Sequence, residues 1–115
     1  MVWETKQAEK SETSQDLSAG ALSLTLTPSR DAFVHLAAIH FSGNVSQTVT
    51  VKLTSPTGAN YVFEIKSTTL SSADDFVYEP NKPLLVPSGW TLTLASTNSG
   101  TPAITAYASI VYQGR

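Results

Sequence analysis

The fold is decided by the stretch Pro83–Asn98, with the sequence PLLVPSGWTLTLASTN. Three apolar residues, Leu84–Val86, are followed by Pro-Ser-Gly, a composition typical of a tight turn. After the turn, Trp90, Leu92 and Leu94 alternate with threonine and alanine. A period of two is typical of a strand with one buried face and one exposed face. The stretch therefore predicts a short strand, a sharp turn and a second strand.

The same pattern continues outward along the chain in both directions. Runs of alternating apolar residues are separated by Pro, Gly, Ser and Asn, at the spacing of roughly 8–12 residues that indicates a sandwich or barrel. The predicted strands are Ala21–Thr27, Ala32–Phe41, Gln47–Thr54, Tyr61–Lys66, Phe76–Tyr78, Leu84–Val86, Trp90–Ala95 and Ala103–Tyr112. We predict an all-β, antiparallel, jelly-roll-like sandwich of about eight strands that occupies residues 19–115.

Residues 1–18 differ from the rest because they are polar and charged. The charged positions are Glu4, Lys6, Glu9, Lys10, Glu12 and Asp16. Such a segment has too little apolar surface to order itself, and a short isolated helix here would be marginal in water. We predict an extended N-terminal arm over residues 1–18. It either frays or orders against a partner, with Trp3 as the anchor.

Length and composition exclude several classes of function. The 115 residues fit one domain, and the absence of cysteine excludes disulfides and thiolate metal sites. A net charge of −2 gives no electrostatic basis for binding nucleic acid or an anionic membrane. The N-terminus lacks the basic-then-apolar layout of a signal peptide, and no apolar run is long enough to span a bilayer.

The residues that carry chemistry form no recognisable site. His35 and His40 are five apart on one predicted strand, so we expect them on opposite faces and not on one metal ion. The acidic cluster of Asp74, Asp75 and Glu79 lacks EF-hand spacing and is typical of a solvated turn. No Gly-x-Ser-x-Gly motif is present. We predict no catalytic residue, no cofactor and no metal site, and hence no enzyme.

Two predicted strands, Ala32–Phe41 and Ala103–Tyr112, are apolar on both faces. A strand of this kind requires cover on both sides, whereas a two-layer sandwich covers only one. The second cover comes either from the arm or a loop of the same chain, or from another subunit. We therefore predict a homo-oligomer, with a trimer favoured, in which small residues permit close approach. The predicted interface residues are Trp3, Phe33, His35, Ala37, Ala38, His40, Ala106, Tyr107, Ala108 and Tyr112.

Aromatic residues raise a second possibility, a carbohydrate-binding module. Trp90 shares its face with Leu92 and Leu94, and Tyr61 shares its face with Phe63, so Trp90 and Tyr61 are predicted to lie in the core. Tyr107 and Tyr112 have opposite parity, so at least one of the two is expected at a surface. Ser/Thr-rich loops together with one of these tyrosines would then form a glycan site.

Four segments carry a resemblance to a known family: Ala21–Pro28, Val34–Phe41, Phe76–Trp90 and Ala106–Tyr112. Together they resemble small virion proteins of tailed bacteriophages, of the capsid decoration or cement type. The resemblance implies a jelly roll, often trimeric, that is made in the host cytoplasm and binds the major capsid protein at the capsid surface. Such proteins often have Gly-Asp after the turn, where this chain has Gly89-Trp90. The same layout also fits a tail or fibre module that binds glycans in host adhesion.

Overall fold

The computed structural model describes residues 8–57, 61–97 and 103–114. Among them it contains nine strands: β1 (Glu9–Asp16), β2 (Leu22–Leu26), β3 (Ala32–Val45), β4 (Thr48–Thr54), β5 (Val62–Thr69), β6 (Ala73–Tyr78), β7 (Leu84–Val86), β8 (Thr91–Ser96) and β9 (Thr105–Gly114). In these ranges the chain forms no helix of the length and hydropathy that a membrane crossing requires.

The strands form two antiparallel sheets. Sheet 1 has the order β1-β9-β3-β6, with β7 paired to the first part of β3. Sheet 2 has the order β2-β8-β4-β5. The pairs β1–β9, β2–β8, β3–β6 and β4–β5 are those that one long hairpin makes when it is rolled into two layers, which is the jelly-roll topology. The predicted fold class is therefore confirmed.

The core lies between the inward faces of the two sheets. Alternate residues of every long strand except β1 and β5 point into it, as the period of two requires. Its largest fully buried side chains are Phe41, Leu17, Leu22, Ile39, Leu92, Leu94, Ile110, Val34, Val49, Val51 and Val86. Each such aliphatic side chain contributes about 1.5–3 kcal/mol by leaving water.

Strand β1 occupies much of the segment that we expected to be an arm. It pairs with β9 from Glu9 to Asp16, and its inward positions are polar. Leu17, immediately after the strand, is 0% exposed, and its amide donates a hydrogen bond to the Ile104 carbonyl at 2.8 Å. Residues 9–17 are thus part of the sandwich. Trp3 lies outside the described residues.

The predicted Pro-Ser-Gly turn is confirmed. The Trp90 amide donates a hydrogen bond to the Pro87 carbonyl at 3.0 Å, and Gly89 has a φ of +83°. A positive φ at the third position of such a turn defines type II and favours glycine. The Ser88 amide also donates to Oδ1 of Asp31 at 2.9 Å, which ties this turn to the loop before β3.

A bulge in β3 changes which side chains reach the core. Val34 pairs with Tyr112, but Leu36 pairs with Val111, so His35 is an extra residue. A bulge of this kind breaks the regular alternation. The buried positions are Ala32 and Val34 before the bulge, and Ala37, Ile39 and Phe41 after it. The prediction of uninterrupted alternation along β3 was therefore wrong, and the spacing of the two histidines does not by itself determine their faces.

Two aromatic residues predicted to be in the core, Tyr61 and Phe63, lie at the surface instead. They are 57% and 53% exposed because β5 is the edge strand of sheet 2 and little packs over its end. Trp90 does pack against the core but remains partly exposed. Its ring stacks on Phe63 with the centroids 6.1 Å apart.

Candidate interface on the outer face of sheet 1

The outer face of sheet 1, on the side away from the core, carries a group of apolar side chains. It receives side chains from four strands: Phe33, Leu36, Ala38, Val77, Leu85, Tyr107 and Val111. Val77 is 61% exposed, Tyr107 53% and Leu85 41%, so no described segment is packed over these three. We call this set of seven residues the outer apolar patch.

On the outer face, residues paired across β6, β3 and β9 form rows, and a mainly apolar row lies next to a mainly polar one. Ala38 on β3 lies between Val77 on β6 and Ser109 on β9. The next outward position, His40, lies between Asp75 and Tyr107. Because side chains two residues apart on a strand share a face, the patch passes directly into a polar region.

The interface residues predicted from the sequence divide into two groups. The first group lies on the outer face and consists of Phe33, Ala38, His40 and Tyr107. His35 is partly buried, and its Nε2 lies 3.4 Å from Oε1 of Gln113. In contrast, three alanines face the core: Ala37, Ala106 and Ala108, with exposures of 0%, 0% and 3%. The alternation of β9 and the bulge in β3 turn them inward, so this part of the prediction was wrong.

Tyr112 also belongs to the inward side, where it is partly buried against the core. It lies opposite Glu9 in the register between β9 and β1. Burial of the phenol, and then its hydrogen bond to the Glu9 carboxylate, raise the pKa of Tyr112 above its ordinary value. Tyr112 therefore faces the core beside β1 and is a poor candidate for contact with a partner.

The polar region contains an ion pair. Nδ1 of His40 lies 2.8 Å from Oδ1 of Asp75, and both side chains are more than 60% exposed, at 61% and 63%. The hydrogen bond that His40 donates to the Asp75 carboxylate is the main cause that raises the pKa of His40, and the charges of Asp75 and Asp74 add to it. The sequence did not reveal this pair, because it arises from the register between β3 and β6.

A shallow groove of about 520 Å³ borders this ion pair. Its walls come from β1, β3 and β9, and its lining residues are Glu12, Thr13, Ser14, His40, Tyr107, Ala108 and Ser109. An exposed phenol ring thus stands beside hydroxyl, carboxylate and imidazole groups. The groove can accept a small polar ligand that combines an apolar face with hydrogen-bonding groups.

The size of the outer face can be estimated from sheet geometry. Four strands about 5 Å apart, each extended over about nine residues, give a face of about 20 by 30 Å, or roughly 600 Å². A standard protein–protein interface buries about 800 Å² on each partner. The face is therefore large enough to form most of one such interface.

A second apolar surface lies on the other sheet. It consists of Tyr61, Val62 and Phe63 at the start of β5, together with the partly exposed Trp90. We call it the aromatic edge. The sequence pattern did not distinguish it from core, because alternation predicts which residues share a face but not whether that face is covered.

Comparison with known proteins gives only distant structural likenesses. No family model matches the sequence, and no curated protein matches it. The fold is similar to the crystal structure of PirA, with a TM-score of 0.45 and 12% identity over 96% of both chains. It is also similar to a chain in the structure of infectious bursal disease virus, Gx strain, with a TM-score of 0.43 and 13% identity over 96% of this chain and 32% of that one. Likenesses this distant carry no argument about function.

Proposed function

We propose that this protein is a non-enzymatic structural protein of a tailed-bacteriophage virion, which binds the outer capsid surface as a homotrimer and stabilises the shell. The observation that supports the proposal is the outer apolar patch. Its members Val77, Leu85 and Tyr107 are exposed to solvent. The largest exposed apolar patch on a monomeric protein is typically about 300–600 Å² and is often a functional site. The resemblance of the sequence to phage decoration proteins supplies the kind of partner.

The size of the patch favours an assembly with many contacts over a single pairwise complex. If about half of the roughly 600 Å² face is apolar, its burial contributes about 7 kcal/mol at 25 cal/mol per Å². The loss of translational and rotational freedom on association costs about 4–15 kcal/mol. One patch is therefore weak alone, whereas repeated contacts in a trimer on a capsid lattice make later contacts effectively intramolecular.

A trimer needs two different surfaces on each subunit, because a threefold ring is built from head-to-tail contacts. The protein offers two: the outer apolar patch on sheet 1 and the aromatic edge on sheet 2. In the proposed trimer the aromatic edge of one subunit contacts the outer apolar patch of the next. Both surfaces lose exposed apolar area when the ring closes.

The trimer is tested by the molar mass of the tag-free chain in size-exclusion chromatography with light scattering. The expected mass is about three times the 12.3 kDa of one chain. Val77→Glu on the patch and Phe63→Glu at the aromatic edge should each give monomers, because each buries a charge in the same contact. Thr25→Glu, on the exposed outer face of sheet 2, is the matched control and should remain trimeric. A wild-type protein that is monomeric at micromolar concentration contradicts the trimer.

Capsid binding is tested separately by cosedimentation with shells that lack this protein, assembled from the major capsid protein of the same phage. The wild-type chain should pellet with the shells and raise the temperature at which they open. Val77→Glu should do neither, while Thr25→Glu should do both. A trimer that never pellets with these shells contradicts the decoration role but not the oligomer.

A second candidate function is glycan binding in a tail or fibre. The observation that favours it is the position of Tyr107, which is 53% exposed at a groove lined by Glu12, Ser14 and His40. Sugar rings stack on aromatic faces while their hydroxyls bind polar side chains of this kind. A glycan array should then give a specific signal that Tyr107→Ala abolishes. A signal that persists in Tyr107→Ala, or no signal with the wild type, contradicts this role.

A further inference from the structure

Three side chains that can bind a metal ion converge at one place on sheet 1. His40 comes from β3, whereas Asp74 and Asp75 come from β6. Each offers one nitrogen or oxygen atom, and these atoms all lie within 4.8 Å of one another. The sequence placed His40 and the acidic pair in separate predicted elements and assigned no metal to either.

The convergence of both carboxylates follows from an irregularity in the sheet. Adjacent residues of a regular strand point to opposite faces, so Asp74 and Asp75 would normally diverge. Here the ladder is interrupted next to them: His40 pairs with Asp75, but the following pair joins Val45 to Ala73. Between these two pairs, β3 has four residues and β6 has only Asp74. Asp74 is therefore not held in the regular alternation of the strand at this point.

The charges of the cluster are not balanced within the protein. His40 can offset only one of the two carboxylates, and it does so by pairing with Asp75. In the ranges that the structure describes, the Asp74 side chain makes no hydrogen bond or ion pair, and only its charge acts on His40. Two adjacent carboxylates thus share one imidazole, and a divalent cation is the species that would neutralise both.

The ligand set indicates the kind of cation. One imidazole nitrogen with two carboxylate oxygens suits Zn²⁺, which binds such atoms at about 2.0–2.2 Å with four ligands. Ligand atoms around one such ion are at most about 4 Å apart, so small rotations of exposed side chains suffice. Ca²⁺ requires six to eight oxygen ligands and is poorly matched to this site.

We propose that His40, Asp74 and Asp75 bind one Zn²⁺ ion on the outer face of sheet 1. The ion takes the place of the proton that Nδ1 of His40 shares with Oδ1 of Asp75, which is released to solvent. The fourth ligand is a water molecule, or an oxygen atom of a ligand held in the groove beside Tyr107. The site does not depend on the proposed virion role, because one isolated chain supplies all three protein ligands.

The experiment is a titration of the full-length, tag-free chain with zinc chloride at pH 7.5. A chromophoric chelator in competition reports affinity, and two-dimensional NMR reports the ring signals of the two histidines. One saturable Zn²⁺ per chain is expected, with the signals of His40 shifted and those of His35 unchanged. Calcium chloride at the same concentrations should shift neither ring.

Matched variants assign the ligands. His40→Ala and Asp74→Asn should each weaken zinc binding at least tenfold, while His35→Ala and Glu64→Gln, which remove a histidine and a carboxylate elsewhere, should leave it unchanged. Binding should also weaken at pH 5.5, because the proton then competes for His40. Circular dichroism establishes that each variant is folded, and the two ring signals of the wild type remain decisive if a variant is not.

Several results would overturn the site. These are the absence of saturable zinc binding, a shift of His35 in place of His40, and equal affinity in His40→Ala. An unchanged affinity in Asp74→Asn overturns the three-ligand arrangement and leaves an ordinary surface histidine. Since all of these measurements use the free protein without capsids, they succeed or fail independently of capsid binding.

Discussion

Substitution of Leu17 by alanine tests whether β1 belongs to the sandwich. Leu17 is 0% exposed, and it is the only large apolar side chain that anchors the end of β1 in the core among the described residues. Leu→Ala substitutions in cores cost about 2–5 kcal/mol, made up of the lost transfer free energy and a cavity. We expect a loss of about 3 kcal/mol in the free energy of unfolding, near the middle of that range because Leu17 is fully enclosed.

The measurement is urea denaturation followed by tryptophan fluorescence, together with hydrogen exchange of the β1 and β9 amides. A loss of about 3 kcal/mol corresponds to a fall of about 12–20 °C in Tm for a domain of this size. Leu85→Ala is the matched control: Leu85 is 41% exposed on the outer face, and its loss should cost under about 1 kcal/mol. If Leu17→Ala costs no more than Leu85→Ala, β1 is a dispensable arm and the argument from burial is wrong.

Three further predictions concern the turn, the ion pair and the aromatic edge. Gly89→Ala should lower the free energy of unfolding by about 1–2 kcal/mol in urea, since the φ of +83° strains any side chain although no atom lies within 4 Å; an unchanged midpoint contradicts this. The raised pKa of His40 means that its pair with Asp75 stabilises the fold fully below the ordinary value of 6.5 and loses this effect as pH rises through the folded-state pKa. Asp75→Asn should therefore lower the pKa of His40 in an NMR titration, and an identical titration curve contradicts the pairing. Phe63→Ala should shift the Trp90 emission to the red and cost about 1 kcal/mol or less, and an unshifted spectrum argues against the stack.

Most of the jelly roll follows from the sequence because its strands alternate regularly between apolar and polar residues. Strands β2, β4 and β8 are of this kind. The turns next to them contain proline, which fixes φ, or glycine, which permits the positive φ seen at Gly89. Strand β1 was missed for the opposite reason. Its inward positions are polar, since it joins the sheet through its backbone and leaves the anchoring to Leu17.

The candidate site was only partly predictable. Apolar residues on both faces of β3 did indicate a need for cover, but one bulge at His35 decided which of them face outward, and no residue pattern gives the position of that bulge. The grouping of His40 with Asp74 and Asp75 depends on the register between two strands more than thirty residues apart in sequence. Local patterns contain no information about such a register.

The pairing of the first strand with the last has a practical consequence for engineering. Strands β1 and β9 run antiparallel, with Glu9 opposite Tyr112. The start of β1 and the end of β9 therefore lie at the same end of the sheet. Opposite residues in such a ladder are only about 5 Å apart. A short glycine-rich linker could therefore join Gly114 directly to Glu9, and the chain could be reopened between β4 and β5. A permuted protein of this kind would present a fused cargo at the same end of the sandwich as Glu9 and Tyr112, but from the β4–β5 edge of sheet 2.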